Sequence, residues 1–194
     1  MDTKLTTKSQ EAIAEAIRRA AAAGNPQLEP THLLAALLAQ SDGVAAALLQ
    51  AIGVDRAQVA ARADAAVATL PAASGAAVGQ PQTSRATMQV ITDAGDEAQA
   101  RGDEYVSTEH LLLALAKNKG AAGDLLRSAG ATREALLEAL TTLRGSQRVT
   151  SPEPEGTFQA LEKYGVDLTA SARDGKLDPI IGRDAEIRRV VQVL

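Results

Sequence analysis

The sequence predicts an all-α protein made of two similar four-helix lobes related by a pseudo-twofold axis. One observation is an internal repeat, because Thr31-His32-Leu33-Leu34 returns 78 positions later as Glu109-His110-Leu111-Leu112. Another is composition, since 45% of residues are apolar but only 2% are aromatic, and such an alanine- and leucine-rich core favours closely packed helices. The repeat is too long for a solenoid unit of roughly 20–50 residues. We therefore expect lobes at about residues 5–71 and 83–145, within one domain over residues 1–147.

Capping residues and helix breakers mark four helices in the first lobe. The predicted starts are, in order, Thr7 with Gln10 in capping-box spacing, Glu29 or its neighbour with Pro30 at the first helical position, Ser41-Asp42-Gly43, and Asp55. The predicted ends of the first, third and fourth helices are Gly24-Asn25-Pro26, Gly53 and Pro71. Apolar residues at helical spacing predict the buried faces, including Leu33, Leu34, Leu37 and Leu38 in the second helix and Val59, Ala63, Ala66, Val67 and Leu70 in the fourth.

The second lobe repeats this plan. Its predicted helix starts are Ser84, Ser107, Gly120 and Thr132. The predicted apolar faces are Met88, Ile91, Ala94 and Ala98, then Leu111, Leu112 and Leu115, then Leu125 and Leu126, and finally Leu136, Leu137, Leu140 and Leu143. Residues 71–82 are turn-rich and lack periodicity, so they are expected to link the lobes.

The sequence changes character after residue 147. Residues 148–157 contain Ser-Pro-Glu-Pro-Glu without apolar periodicity and are predicted to form a flexible linker. Residues 158–194 contain two short amphipathic segments, and the apolar face of the last one, which includes Ile187 and Val190, runs to the end of the sequence. We expect this last region to be the beginning of a further domain.

Composition and charge exclude several classes of function. The chain has no cysteine, which removes disulfides and thiolate chemistry and agrees with a cytoplasmic location. A net charge of −4 argues against a nucleic-acid partner. No apolar run approaches the roughly 20 residues of a membrane span, and the N-terminus does not resemble a signal peptide, so no membrane partner is expected.

The sequence contains no complete active site. His32 and His110 occupy equivalent positions, but a zinc site needs about four ligands, so we expect both to hold local backbone and no metal to bind. Asp103 and Glu109 lie near a helix start, where the helix dipole favours carboxylates whatever the function. Neither a phosphate-binding Gly-x-x-x-x-Gly-Lys-Ser/Thr loop nor a Gly-x-Ser-x-Gly nucleophile elbow occurs. The 194 residues are therefore not expected to be an enzyme or to bind a cofactor by themselves.

The duplicated His-Leu-Leu lobes resemble the Clp N-terminal repeat domain of the Hsp100 ATPases. The segments Lys163–Ala170 and Gly175–Arg189 look very like the opening of the first AAA+ module in the disaggregase branch of that family. The resemblance covers the whole chain. It implies an eight-helix bundle that captures unfolded or aggregated polypeptide for a homohexameric ring, which uses ATP and Mg²⁺ and cooperates with a DnaK-type chaperone system in the stress response. The fragment itself is expected to be a monomer.

The resemblance also implies particular site residues. Thr6, Asp103 and Glu109 are marked as polar residues beside a substrate groove between the lobes. Ile180 and Ile181 are marked as an adenine contact that operates only in the full-length protein. The chain departs from the disaggregase pattern in having Asp93, Glu97 and His110 where apolar residues are often found, which predicts a polar groove centre.

An alternative function remains open. The ClpC branch of the family recognises phosphorylated arginine with a Glu-His pair in each lobe, and this chain has Glu109-His110 but Thr31-His32. Docking of an adaptor protein or of phosphoarginine is therefore the second hypothesis, and it predicts a saturable partner of fixed stoichiometry. ATP hydrolysis by the fragment itself is a third, which the missing phosphate-binding loop disfavours.

Overall fold

The computed structural model describes residues 4–40, 43–73, 80–145, 147–154, 168–175 and 182–193. The first lobe contains α1 (Thr7–Ala22), β1 (Gln27–Leu28), α2 (Pro30–Ala39), α3 (Val44–Ala51) and α4 (Arg56–Ala68). The second contains β2 (Gln82–Thr83), α5 (Arg85–Ala100), α6 (Thr108–Lys117), α7 (Ala121–Ser128) and α8 (Arg133–Arg144). The predicted fold class, all-α with two four-helix repeats, is confirmed.

The chain divides into two compact units, Met1–Phe158 and Gln159–Leu194. The second unit contains α9 (Leu168–Arg173) and α10 (Asp184–Val193). On α10 the side chains of Ile187, Val190 and Val191 are exposed. The expected adenine contact, Ile180 and Ile181, lies outside the described residues, so the beginning of an AAA+ module stays an expectation.

Helices α2 and α6 form the centre of the two lobes. Nine of the ten residues of each are buried, so these helices are enclosed rather than amphipathic. Each begins in the same way, because the third residue of the helix is a histidine whose Nδ1 accepts the main-chain N–H of the N-cap residue at 3.0 Å. This is a histidine version of the capping box, in which the third helical residue reaches back to the cap. The prediction that His32 and His110 hold local backbone is confirmed.

The two lobes exchange short strands reciprocally. β1, which precedes α2, pairs in parallel with β2, which precedes α5. In the same way Leu5, which precedes α1, pairs in parallel with Val106, which precedes α6. Each lobe therefore supplies the segment before its first helix to the other lobe, and the four segments fix the relative position of the lobes.

Several local predictions need correction. α1 is capped by Thr6 and not by Thr7, because the main-chain N–H of Thr6 is bound to the carbonyl of Val106 and its Oγ1 accepts the N–H of Ser9. α4 ends at Ala68, before Pro71, and buries Val59 and Ala63 while the other expected residues are half-buried. Met88 is 56% exposed and Leu143 36% exposed, so both lie outside the core to which their spacing assigned them.

The predicted flexible linker also differs from the structure in its first part. Val149 is buried, its N–H donates to Asp103 at 2.7 Å, and its carbonyl accepts the N–H of Glu104 at 2.9 Å. Further along, the carbonyl of Pro152 accepts the N–H of Thr7 at 2.8 Å. These partners are distant in sequence, which is why composition alone predicts a mobile segment.

Within the described residues no single helix is long and apolar enough to span a membrane, and α2 with α3 meets that criterion only as a bent pair.

Candidate functional site

Thr6, the first of the three residues that the family resemblance marks beside a substrate groove, is completely buried. Its hydroxyl caps α1 and donates to Ser9 at 3.1 Å, and its main chain joins the exchanged strand at Val106. The structure therefore places Thr6 at the junction of the lobes, with its polar atoms already bonded.

Asp103 and Glu109, the other two marked residues, lie together in a buried ionic cluster with His110 and Arg144. One guanidinium nitrogen of Arg144 lies 2.8 Å from Asp103 Oδ1 and the other lies 3.0 Å from Glu109 Oε1. The Nε2 atom of His110 lies 3.0 Å from Asp103 Oδ2. The carboxylates and the ring are at most 1% exposed, and Arg144 neutralises both acids in part. Among the described residues Glu109 Oε2 is buried without a hydrogen-bond partner.

The environment of Asp103 keeps its carboxylate ionised. Burial disfavours the charge, but the close His110 ring together with hydrogen bonds from Arg144 and the main-chain N–H of Val149 outweighs burial and holds the pKa of Asp103 well below its ordinary value. A carboxylate with so many donors is a structural anion and not a proton donor or acceptor near neutral pH.

The equivalent position in the first lobe carries a neutral version of the same contact. His32 Nε2 lies 3.0 Å from Asn25 Oδ1, and the amide of Asn25 donates to the carbonyl of Pro71 at 2.9 Å. Burial lowers the pKa of His32 below its ordinary value, and the neighbouring Glu29 offsets this only in part. The ring is therefore neutral at pH 7, with the Nε2–H donating to Asn25.

Of the three residues that predict a polar groove centre, Asp93, Glu97 and His110, the last two are buried. Glu97 is buried, and its carboxylate lies 2.7 Å from Arg133 of α8 and 2.9 Å from Arg101. Although burial opposes ionisation, these hydrogen bonds lower the pKa of Glu97. His110 is completely buried, and Asp93 lies 3.7 Å from Lys117. Glu97 therefore joins α5 to α8, His110 joins the start of α6 to Asp103, and the expectation that these two side chains line a groove is wrong.

An open cleft lies between α5 and the loop that follows it, and Glu97 is not part of its lining. It has a volume of about 710 Å³. Its lining includes Met88, Ile91, Gly95 and Asp96 from α5, Glu104 and Tyr105 from the loop, and Lys4. The Nζ atom of Lys4 lies 5.7 Å from the centre of the Tyr105 ring, a cation–π contact at the rim. Asp103 also lines this cleft, while its carboxylate is held in the cluster behind it.

The pseudo-symmetry explains why this cleft belongs to the second lobe. Gly95 on α5 corresponds to Ile17 on α1, and Ile17 is half-buried against the core. Gly95 has no side chain, so room remains between α5 and Tyr105. The sequence analysis missed this cleft because it assigned Met88 and Ile91 to the core. Two features of the sequence could have indicated it. Gly95 stands where the first lobe has Ile17, and Tyr105 is one of only two tyrosines in the chain.

The arrangement of the cleft is suited to binding an elongated ligand. Apolar side chains, one amine and two carboxylates at an open cleft can hold an extended ligand, while the buried carboxylates of Asp103 and Glu109 each pair with Arg144. Among the described residues, no group of three or more histidine, aspartate or glutamate side chains is arranged to bind a metal.

The fold and the sequence have clear relatives. A family model described as the Clp repeat (R) N-terminal domain matches residues 4–129. The chain is 55% identical over 189 residues to the chaperone protein ClpB of Corynebacterium glutamicum and to that of Mycobacterium bovis. Each alignment covers 97% of this chain but 22% of the relative, so the chain spans about a fifth of the length of these proteins.

Solved structures agree with this assignment. The N-terminal domain of Hsp104 from Candida albicans superposes with a TM-score of 0.69 at 25% identity, covering 78% of this chain and 99% of that one. The N-terminal domain of the ClpV1 ATPase from Escherichia coli superposes with a TM-score of 0.63 at 21% identity, covering 77% of this chain and 91% of that one. The second likeness shows the shared fold alone.

Proposed function

Because the chain belongs to the Clp repeat N-terminal domain family, we propose that it is the substrate-capture domain of an ATP-dependent Hsp100 disaggregase. In this proposal the cleft beside α5 binds unfolded or aggregated polypeptide. A hexameric ring, formed by parts of the protein beyond this chain, then threads the captured polypeptide. The high identity to ClpB proteins supports the disaggregase branch.

The observation that carries the proposal is the exposed apolar surface of the cleft. Met88 leaves more than half of its side chain in water, and Ile91 and Tyr105 lie beside it. Unfolded polypeptide differs from folded protein in presenting apolar side chains, and a methionine-containing surface adapts to many of them. Such a surface favours unfolded chains without demanding one sequence.

Thr6, Asp103 and Glu109 stay predicted substrate residues, and their burial favours an indirect contribution. The ionic cluster holds residues 102–104, which form one wall of the cleft, and Thr6 anchors the strand that carries Lys4. Because Glu109 is only 1% exposed, direct contact between a substrate and its carboxylate would require the residues that bury it to move. The same requirement weighs against phosphoarginine docking at Glu109-His110, so capture of unfolded polypeptide is preferred.

The nucleotide chemistry belongs to the longer protein in this proposal. A phosphate cradle needs a glycine-rich loop with its lysine, and these 194 residues do not contain one. We expect no ATP turnover by the isolated chain, with ATP and Mg²⁺ bound elsewhere in the full protein and adenine touching Ile180 and Ile181. Homohexamer formation, a DnaK-type partner and a cytoplasmic location belong to the same proposal.

The proposal is tested by titrating the 194-residue chain with reduced, carboxymethylated lactalbumin, which is permanently unfolded. We expect amide shift changes in the first half of α5 and in residues 102–106, with a Kd of roughly 10 μM to 1 mM. Met88→Ser is expected to weaken binding at least about threefold, since it removes exposed apolar area. Leu143→Ser is the matched control on α8 and should leave binding unchanged. Shift changes confined to other surfaces, or equal losses in both variants, would contradict the assignment.

A further inference from the structure

The chain that follows α8 lies against one wall of the cleft. We call residues 147–152 the exit strap. Within it the side chain of Val149 is 3% exposed, its N–H donates to the carboxylate of Asp103 at 2.7 Å, and its carbonyl accepts the N–H of Glu104 at 2.9 Å. Both partners line the cleft. Because Glu104 lies in a bend, outside every helix and strand, the strap and not regular secondary structure holds the wall at this point.

Two further contacts flank Val149 in the strap. The guanidinium of Arg148 packs on Gly102, where a Cβ atom would lie 3.4 Å from its Cζ. The carbonyl of Pro152 accepts the N–H of Thr7, the first residue of α1, at 2.8 Å. Gly102 belongs to the cleft lining and Thr7 does not. The strap therefore connects the cleft wall in the second lobe with the start of α1 in the first.

The first lobe has an equivalent contact with a different continuation. There the chain after α4 returns to the loop after α1, and the side-chain amide of Asn25 donates to the carbonyl of Pro71 at 2.9 Å. That segment continues into residues 71–82, which join the two lobes, so both of its ends belong to the domain. In the second lobe the equivalent segment leads on to residues 159–194, the second compact unit. A contact common to both lobes is thus placed on the connection to the rest of the protein.

We propose that Val149 is a positioning residue for the cleft, and that docking of the exit strap and binding of polypeptide favour one another. Release of the strap removes the main-chain partner of Glu104 and one donor of Asp103, so the wall that meets the captured segment is no longer fixed. A site that is competent for only part of the time binds more weakly in proportion. This inference rests on the proposed function and adds a way for the connection to the rest of the protein to control capture.

The test compares Val149→Asp with Thr150→Asp in the 194-residue chain. Both variants add one negative charge, but residue 149 is buried beside Asp103 whereas residue 150 is exposed. We expect Val149→Asp to release the strap, so that the amides of Glu104 and Thr7 exchange hydrogen at least about tenfold faster. Its affinity for the unfolded lactalbumin should fall at least about threefold. Thr150→Asp should change neither quantity, and the conservative Val149→Ile should preserve both.

A second measurement needs no variant and stays decisive if Val149→Asp does not fold. Coupling between two equilibria is reciprocal, so a bound polypeptide should also stabilise the docked strap. Saturating lactalbumin should therefore slow hydrogen exchange at the amide of Thr7, which lies outside the cleft lining, at least about threefold. A purely structural role of Val149 would not produce this effect.

Different failures have different meanings. If lactalbumin binds away from the cleft, or not at all, the proposed function fails together with this inference. If it binds at the cleft but Val149→Asp weakens binding no more than Thr150→Asp does, the coupling is overturned and the proposed function stands. Unchanged exchange at Thr7 in the saturated complex of the unsubstituted chain would overturn the coupling in the same way.

Discussion

The two lobes share one frame but stabilise it with different chemistry. At the positions that correspond in the repeat, the first lobe has Asn25, Thr31 and Val67 where the second has Asp103, Glu109 and Arg144. The first set is neutral and the second carries two negative charges and one positive charge. The difference teaches that the histidine and the helix it begins are the common requirement, and that the charged residues of the second lobe form one paired set without a counterpart in the first.

A second difference shows the same requirement met from different elements. The carbonyls of Leu38 and Gln40, at the end of α2, accept from Arg56, which begins α4. The equivalent carbonyls at the end of α6 accept from Arg127, which lies in α7. The end of the central helix needs a donor for its unpaired carbonyls, and either neighbouring helix can supply it.

The largest expected effect comes from breaking the charged set of the second lobe. Arg144→Val introduces the residue of the first lobe but leaves Asp103 and Glu109 buried without a counter-ion, so unfolding in urea should show a loss of about 3–5 kcal/mol. The triple variant Asp103→Asn, Glu109→Thr, Arg144→Val copies the neutral set and should recover most of this loss. A triple variant as unstable as Arg144→Val would show that the lobes are not interchangeable at this position.

The common frame predicts matched effects at equivalent leucines. Leu34 and Leu112 are both completely buried at corresponding positions of α2 and α6. We expect Leu34→Ala and Leu112→Ala each to lower the free energy of unfolding by about 2–5 kcal/mol, because a cavity is left in a core without aromatic side chains. A loss under about 0.5 kcal/mol at either position, measured by chemical denaturation, would contradict its role in the core.

Gly123 and its counterpart Ala46 should favour opposite residues, so that exchanging glycine and alanine destabilises the protein at both positions. A Cβ atom at Gly123 would collide with the carbonyl oxygen of Asn118, so Gly123→Ala is expected to destabilise by about 1–3 kcal/mol although alanine favours helices. Ala46→Gly should cost about 1 kcal/mol through helix propensity and backbone entropy alone. Thermal unfolding of both variants measures the difference, and a stabilising Gly123→Ala would mean that the loop before α7 can move away.

The smallest expected effect is a difference in acid sensitivity. The folded pKa of His32 lies below its ordinary value of 6.5, so its contribution to stability is complete above that pH and is lost as the pH falls through the folded pKa. The folded pKa of Asp103 lies below its ordinary value of 3.8, so its contribution is lost only in stronger acid. His32→Gln should flatten the pH dependence of unfolding just below 6.5, and Asp103→Asn should flatten it below 3.8. The reverse order would reject this account of the two lobes.

The sequence predicts the repeat and the helices well because both depend on local spacing. His32, His110, Pro30 and the caps Ser84, Asp55 and Thr132 act within a few residues of their own position, and the structure confirms them. The predicted start of α1 at Thr7 differs by one residue from the observed N-cap, Thr6. The hydrogen bond from the main-chain N–H of Thr6 to the carbonyl of Val106 fixes this cap, and the local sequence does not reveal it.

The candidate site could be predicted less well because it depends on distant partners. Arg144 and Asp103 are 41 positions apart in the sequence, and no local pattern predicts their pairing. Helical spacing places Met88 and Glu97 on faces of α5, but it does not reveal which face meets α8 and which faces the cleft. Val149 illustrates the same limit, since its burial depends on Asp103 and Glu104 and not on the proline-rich sequence around it.

The reciprocal exchange of strands has an evolutionary consequence. Two halves that each complete the other are arranged like the subunits of a closed twofold dimer, with residues 71–82 as the covalent join. Joining the halves in one chain replaces association between molecules by association within one, at an effective concentration in the millimolar range. In a dimer of identical subunits every substitution occurs twice, so a glycine that opens a cleft would weaken both halves. Once the gene for one half had been duplicated and fused, Gly95 could open the second half while Ile17 kept the first one packed.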